Sequence, residues 1–122
     1  MDMETKEGMM EYCKKVCETN GWILNGDGIT LNDLIDGLVE NKKNYGYQSC
    51  PCRMASGNRD IDRDLICPCD YAKPDIAEFK TCYCNLYTSP EFKELGVEYV
   101  AVPERRPLEK EDAMLEYIGK QT

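Results

Sequence analysis

The chain has 122 residues, enough for one domain with a small hydrophobic core, and it carries eight cysteines and no histidine. Fifteen Lys and Arg against 23 Asp and Glu give a net charge of −8, which excludes a binder of nucleic-acid phosphates, since that needs clustered cations. Without histidine the commonest general base is missing, so chemistry falls to thiols, carboxylates, tyrosines or a cofactor.

The first segment, residues 1–7, is polar and acidic with no apolar signal core behind it. No stretch approaches the roughly 20 apolar residues that cross a bilayer. A cytoplasmic protein is expected, and clustered cysteines in a reducing cytosol bind metal or do redox work. Met9, Cys13, Val16 and Cys17 recur at helical spacing, which predicts a helix over residues 3–19 that stops at Asn20 and Gly21. Gly26, Asp27 and Gly28 read as a turn. Thr30, with Asp33 three residues on, reads as the N-cap of a second helix. Its apolar face is Leu31, Leu34, Ile35, Leu38 and Val39, and it ends near residues 44–46.

Between residues 47 and 88 apolar periodicity fades. Short helices are predicted at about 53–65 and 74–80, with Pro74 suited to a first helical position. Ser89, Pro90 and Glu91 read as the cap of another short helix that stops at Gly96. Residues 97–102 are β-prone, and residues 22–24 are the other weak strand candidate. Leu108, Met114, Leu115 and Ile118 predict a C-terminal helix docked through Tyr117 and Ile118. The fold class expected is mainly α: one domain over residues 1–122, with short helices around a cysteine-rich, cluster-binding loop region.

Six cysteines fall in three pairs: Cys50-Pro51-Cys52, Cys67-Pro68-Cys69 and Cys82-Tyr83-Cys84, with 14 and then 12 residues between pairs. Zinc sites favour a two-residue gap, whereas every gap here is one residue. Proline fixes φ near −65° and favours an extended path. A disulfide inside one pair would therefore sit at or beyond the usual Cα separation of about 4.4–6.8 Å. Each pair is better suited to sending its sulfurs to different tasks. One [4Fe–4S] cluster takes four thiolates, which leaves two. Two spare thiols beside a cluster are what a disulfide reductase needs when its donor delivers single electrons. Spacing alone leaves open which four would bind iron.

The run Gly28-Ile29-Thr30, Gly37-Leu38-Val39-Glu40 and Gly46-Tyr47-Gln48-Ser49-Cys50-Pro51-Cys52-Arg53 resembles the catalytic subunit of ferredoxin:thioredoxin reductase. So do Cys67-Pro68-Cys69 and Cys82-Tyr83-Cys84-Asn85-Leu86-Tyr87. The resemblance covers about residues 12–96 and leaves 97–122 as a C-terminal extension. It implies that Cys50, Cys67, Cys69 and Cys82 hold a [4Fe–4S] cluster and that Cys52 and Cys84 form the redox-active disulfide. It further implies a ferredoxin-type electron donor and a thioredoxin- or glutaredoxin-like acceptor, and it leaves room for a second subunit. Neither nucleic acid nor membrane is expected as a partner. In the implied chemistry Cys52 attacks the acceptor disulfide and Cys84 resolves the mixed disulfide. Phototrophic members have a longer first gap, a shorter second gap and histidine where this chain has Tyr83. A phenol of ordinary pKa about 10 cannot replace that histidine as a base near neutral pH. It can donate a hydrogen bond to a sulfur, or pack.

Other features carry plainer readings. The rival for the six cysteines is a non-catalytic metal-binding module, either a four-cysteine zinc site or an electron carrier. Cys13 and Cys17 read as core, with an accessory thiol role as the alternative. Arg53, Arg59, Arg63, Lys73 and Lys80 offer a basic rim for an acidic donor. They are interleaved with Asp60, Asp62, Asp64, Asp70 and Asp75, so a neutral solvated surface is the competing expectation. Tyr45, Tyr47, Tyr71, Tyr83 and Tyr87 read as a shield against water.

Overall fold

The structure, a computed structural model, describes residues 2–91 and 101–120. Among these residues it is mainly helical: α1 (Lys6–Asn20), α2 (Gly28–Tyr45), α3 (Ala72–Phe79) and α4 (Leu108–Lys120). A single two-stranded ribbon joins β1 (Ile23–Leu24) to β2 (Tyr87–Thr88) in antiparallel register, Ile23 opposite Thr88 and Leu24 opposite Tyr87. The small helical protein expected from the sequence is the one observed.

Helix α1 begins where the Thr5 hydroxyl accepts the Gly8 N–H at 3.1 Å and ends at Gly21, whose φ of 73° suits glycine. Its buried residues Met9, Cys13 and Cys17 pack on Leu34, Ile35 and Leu38 of α2. Ile35 and Leu38 are fully enclosed, and each such side chain contributes roughly 2 kcal/mol by leaving water. Cys13 and Cys17 are therefore core residues, and Val16 packs on the same cluster from a half-buried position.

Several expected boundaries move, each for a local reason. Asp27, not Thr30, caps α2: its Oδ1 accepts the Ile29 and Thr30 N–H groups at 3.0 and 3.3 Å, which leaves Thr30 inside the first turn. The helix expected at 53–65 shrinks to one 3-10 turn at Arg63–Leu65. Asp62 explains why. Its carboxylate collects the Ser56 N–H, the Ser56 hydroxyl and the Gly57 N–H, so the backbone satisfies itself on a side chain rather than on a helix. Helix α3 starts two residues before Pro74, which lies in the first turn, where its missing N–H breaks no helical bond. Strand β1 finds its partner in β2. The β-prone stretch 97–102 lies outside the described residues up to 100, and Ala101 and Val102 are irregular. The helix expected from Ser89 to Gly96 also lies outside the described residues beyond Glu91. Helix α4 docks chiefly through Met114, with Tyr117 and Ile118 half-buried and Leu108 and Leu115 exposed. Among the described residues no helix is long and apolar enough to cross a membrane.

Candidate active site

Backbone hydrogen bonds bring the three cysteine pairs together. After Gly46 ends α2 at φ 87°, the chain turns back and runs beside residues 65–67. The Cys50 N–H donates to Leu65 O at 2.8 Å, the Cys67 N–H donates to Gln48 O at 2.9 Å, and Ser49 bridges Ile66. The first two pairs thus leave adjacent antiparallel strands of chain. The third pair sits in a turn closed by Thr81 opposite Thr88. There Asn85, at φ 63°, donates to Cys82 O and the Cys82 N–H donates to Tyr87 O. Because Thr88 belongs to β2, pairing with β1 fixes the turn on the helical core. Side chains add further anchors: the Tyr12 hydroxyl donates to Cys67 O at 2.7 Å, and the Asn41 amide donates to Ser49 O at 2.8 Å. Gly37 of α2 lies under the first pair. A Cβ there would come within 2.8 Å of Pro51 Cβ, so only glycine lets the helix approach so closely.

Cys50, Cys67, Cys69, Cys82 and Cys84 line one hollow with Pro51, Ala72 and Tyr87. It is a tight hollow of about 10 Å³, partly open to solvent. Cys50, Cys67 and Cys82 are buried, Cys69 and Cys84 are half-buried, and Cys52 is exposed at the rim. All eight cysteines are free thiols. Cys84 is the hub: its Sγ lies 3.8 Å from Cys82 Sγ, and it interacts electrostatically with the Cys50 and Cys52 thiols as well. Those three neighbouring sulfurs, and burial, hold the proton on Cys84 and drive its pKa well above the ordinary thiol value. Interaction with Cys84 lowers the other three: Cys50 falls to about 7 despite burial, and Cys52 and Cys82 fall below the ordinary value. Burial pushes Cys69 up to about 11 and Cys67 well above the usual value. Cys13 and Cys17 lie under the hollow rather than on it. Cys13 shares the Tyr87 hydroxyl with Cys67, whose Sγ is 3.3 Å from that oxygen.

The charged residues around the motif depart from a solvated surface. Arg53 is buried, with Nη1 at 3.8 Å from Cys50 Sγ and 3.5 Å from Cys69 Sγ. Asp62, Asp64 and Asp75 are buried as well, while Asp60, Asp70, Arg59, Arg63 and Lys73 stay exposed. Each buried carboxylate has a partner: Tyr47 donates to Asp62, Tyr71 and Arg106 to Asp64, and Arg105 to Asp75. Tyr71 and Tyr83 flank Arg53, and Tyr87 lines the hollow. Tyr45 instead stacks on Tyr47, which is bound to the Asp62 loop. Sequence reasoning missed Glu104, Arg105 and Arg106, which reach back to Arg53, Asp75 and Asp64. Their one signal was a dense charged run between Pro103 and Pro107.

The donor set suits an iron–sulfur group, because several soft thiols face one apolar hollow and a backbone N–H and Arg53 face the sulfurs. Among the described residues no three His, Cys, Asp or Glu side chains converge tightly enough to grip a single metal ion; the thiols ring the hollow instead. A family model for the ferredoxin thioredoxin reductase catalytic beta chain matches residues 2–113. The ferredoxin-thioredoxin reductase catalytic chain of Pyropia yezoensis is 27% identical over 90 residues, which are 72% of this chain and 74% of that protein. The chloroplastic catalytic chain of the same name from Arabidopsis thaliana is 28% identical over 87 residues, 70% of this chain but 57% of that protein. With a match over nearly its whole length and three cysteine pairs folded onto one hollow, the chain belongs to the family of ferredoxin thioredoxin reductase catalytic beta chains, oxidoreductases acting on sulfur.

Proposed function

We propose that this protein reduces thioredoxin-like protein disulfides with electrons from a ferredoxin-type donor. In this reading Cys50, Cys67, Cys69 and Cys82 hold a [4Fe–4S] group, and Cys52 and Cys84 are the redox-active pair. The observation that carries it is the arrangement of one exposed thiol, Cys52, beside a less exposed thiol, Cys84, whose Sγ lies 3.8 Å from Cys82 Sγ. When bound, the iron–sulfur group would supply electrons singly, so that a two-electron bond can be cleaved by a one-electron donor.

The chain's own residues do the thiol chemistry. Cys52, the accessible member, attacks one sulfur of the acceptor disulfide, forms a mixed disulfide and releases the first acceptor thiolate. Cys84 then attacks Cys52 Sγ, closes the Cys52–Cys84 disulfide and releases the second acceptor thiolate. The acceptor gains two electrons and two protons, and the Cys52–Cys84 pair loses the same. Two single electrons and two protons restore the dithiol. Tyr83 has no part as a base: burial and the nearby Glu104 carboxylate raise its pKa. The curated relatives are named for ferredoxin and thioredoxin, which supports those partner classes and a separate second chain. Because turnover needs free thiols, we assign it to a reducing compartment, the cytoplasm.

Trapping separates the two roles. A reduced Cys84→Ser variant, mixed with a thioredoxin that keeps only its activated attacking cysteine, accumulates a covalent adduct visible on non-reducing electrophoresis. Cys52→Ser forms none. An adduct with Cys52→Ser but not with Cys84→Ser overturns the assignment.

A further inference from the structure

Arg53 follows the exposed Cys52 directly, yet its side chain turns inward until it is 3% exposed. One edge of the guanidinium faces sulfur: Nη1 lies 3.8 Å from Cys50 Sγ and 3.5 Å from Cys69 Sγ. The other edge is held by a carboxylate, with Nε to Glu104 Oε2 at 2.8 Å and Nη2 to Glu104 Oε1 at 2.7 Å. Both aromatic contacts are cation–π: the Tyr83 ring lies 4.2 Å from the guanidinium carbon and the Tyr71 ring 5.2 Å. Burying a cation is costly unless it is paired and hydrogen-bonded. Glu104, whose side chain is 33% exposed, could have met Arg53 in solvent at far less cost. The guanidinium is instead drawn in until its free N–H edge meets two sulfurs. Only the planar arginine fork can serve a carboxylate on one edge and two sulfurs on the other.

We propose that Arg53 is a positioning residue that sets the reduction potential at the site: a fixed positive charge, clamped by Glu104 and Tyr83, against the sulfurs of Cys50 and Cys69. The inference rests on the reading that those two cysteines hold the iron–sulfur group. Hydrogen bonds to the sulfurs and the local net charge are among the terms that set such potentials. The sign follows from charge. With the Cys52–Cys84 pair already reduced, one electron enters from an external reductant and no bond breaks, so the site gains one negative charge next to a guanidinium. Attraction favours the reduced form, and the one-electron midpoint rises. Glu104 acts in the opposite sense, more weakly, because it lies beyond the guanidinium and is partly solvated. Tyr83 acquires a role that needs no proton transfer: its ring covers the face of Arg53.

The test is a mediated potentiometric titration with dithionite on the anaerobically prepared full chain, its Cys52–Cys84 pair reduced beforehand, followed by visible absorbance, with iron and sulfide counted on every sample. Arg53→Gln lowers the midpoint by a shift equal to at least a tenfold change in the one-electron equilibrium, about 59 mV. Glu104→Gln, which keeps the shape of the clamp and removes its negative charge, raises the midpoint. Arg53→Lys keeps the charge without the fork and recovers part of the shift. A purely structural role would move Arg53→Gln and Glu104→Gln in the same direction, since both break one ion pair. Shifts of the same sign, or a wild-type midpoint in iron-replete Arg53→Gln, overturn the inference and leave the proposed function standing. Should Arg53→Gln fail to hold iron, the direction of the Glu104→Gln shift decides alone. A wild-type chain that binds no iron overturns the proposed function and this inference together.

Discussion

Replacing Arg106 with methionine should cost the folded protein about 3–5 kcal/mol, the range for removing one partner of a buried ion pair. Neither side chain has solvent to fall back on: Arg106 is 0% and Asp64 2% exposed. The pair is bidentate, with Nε to Oδ2 at 2.8 Å and Nη2 to Oδ1 at 3.2 Å, and Nη2 also donates to Ile61 O at 3.2 Å. Methionine fills comparable space beside Met114 but leaves the Asp64 carboxylate with Tyr71 as its hydrogen-bond donor, at 2.6 Å. For a domain with a total stability of about 5–15 kcal/mol the loss is about a fifth or more. The pH dependence is equally specific. Burial pushes the Asp64 pKa up, but hydrogen bonds from Arg106 and Tyr71 outweigh it and hold the value below the ordinary one. Its folded pKa is depressed, so the stabilisation is present above the unfolded value and is lost as pH falls through the folded one. In Arg106→Met burial is opposed only by the Tyr71 hydrogen bond and the charge of Lys110, the carboxyl protonates more readily, and the gap to wild type narrows in mild acid. Urea unfolding followed by circular dichroism, at matched iron content and at neutral and mildly acid pH, measures both effects. A loss under about 1 kcal/mol, or a gap that ignores pH, refutes the reasoning.

The remaining predictions concern the site. Serine at Cys50, Cys67, Cys69 or Cys82 should lose most of the iron and destabilise the central segment, since metal binding there is also folding energy; full iron retention in Cys67→Ser or Cys69→Ser contradicts the ligand set. Gly37→Ala gains about 1 kcal/mol of helix propensity. It also drives a methyl group to 2.8 Å from Pro51 Cβ, an overpacking cost of about 1–3 kcal/mol. The expected result is a lower melting temperature and reduced iron content, and an unchanged iron content would show that the Pro51 contact is not needed. The exposed Arg59, Arg63 and Lys73 should steer an acidic donor, so its association rate falls as ionic strength rises. A rate insensitive to salt would point to an uncharged docking face.

What could be read from the sequence divides along physical lines. Helices α1 and α2 were legible because their apolar residues recur at helical spacing, and the same residues form the core. The six site cysteines were legible because three one-residue gaps restrict what the sulfurs can do together. Burial of Asp62, Asp64 and Asp75 was not legible. A carboxylate amid arginines reads as solvated until its partners are known, and those partners stand 15, 42 and 30 residues away at Tyr47, Arg106 and Arg105. The same distance hid Arg53, whose clamp at Glu104 is 51 residues on. The β1–β2 pairing escaped because a strand of two residues has no periodicity to detect. Asp27 was read as part of a turn, although an Asx hydrogen bond begins a helix as readily as it makes a turn.

The most direct test of the account is iron and labile-sulfide analysis of the anaerobically purified chain, with thiols titrated before and after reduction. The account predicts a brown protein with about four irons and four sulfides per chain, which gains two titratable thiols on reduction as Cys52 and Cys84 open. A colourless protein loaded with zinc, whose thiol count does not change on reduction, would contradict it.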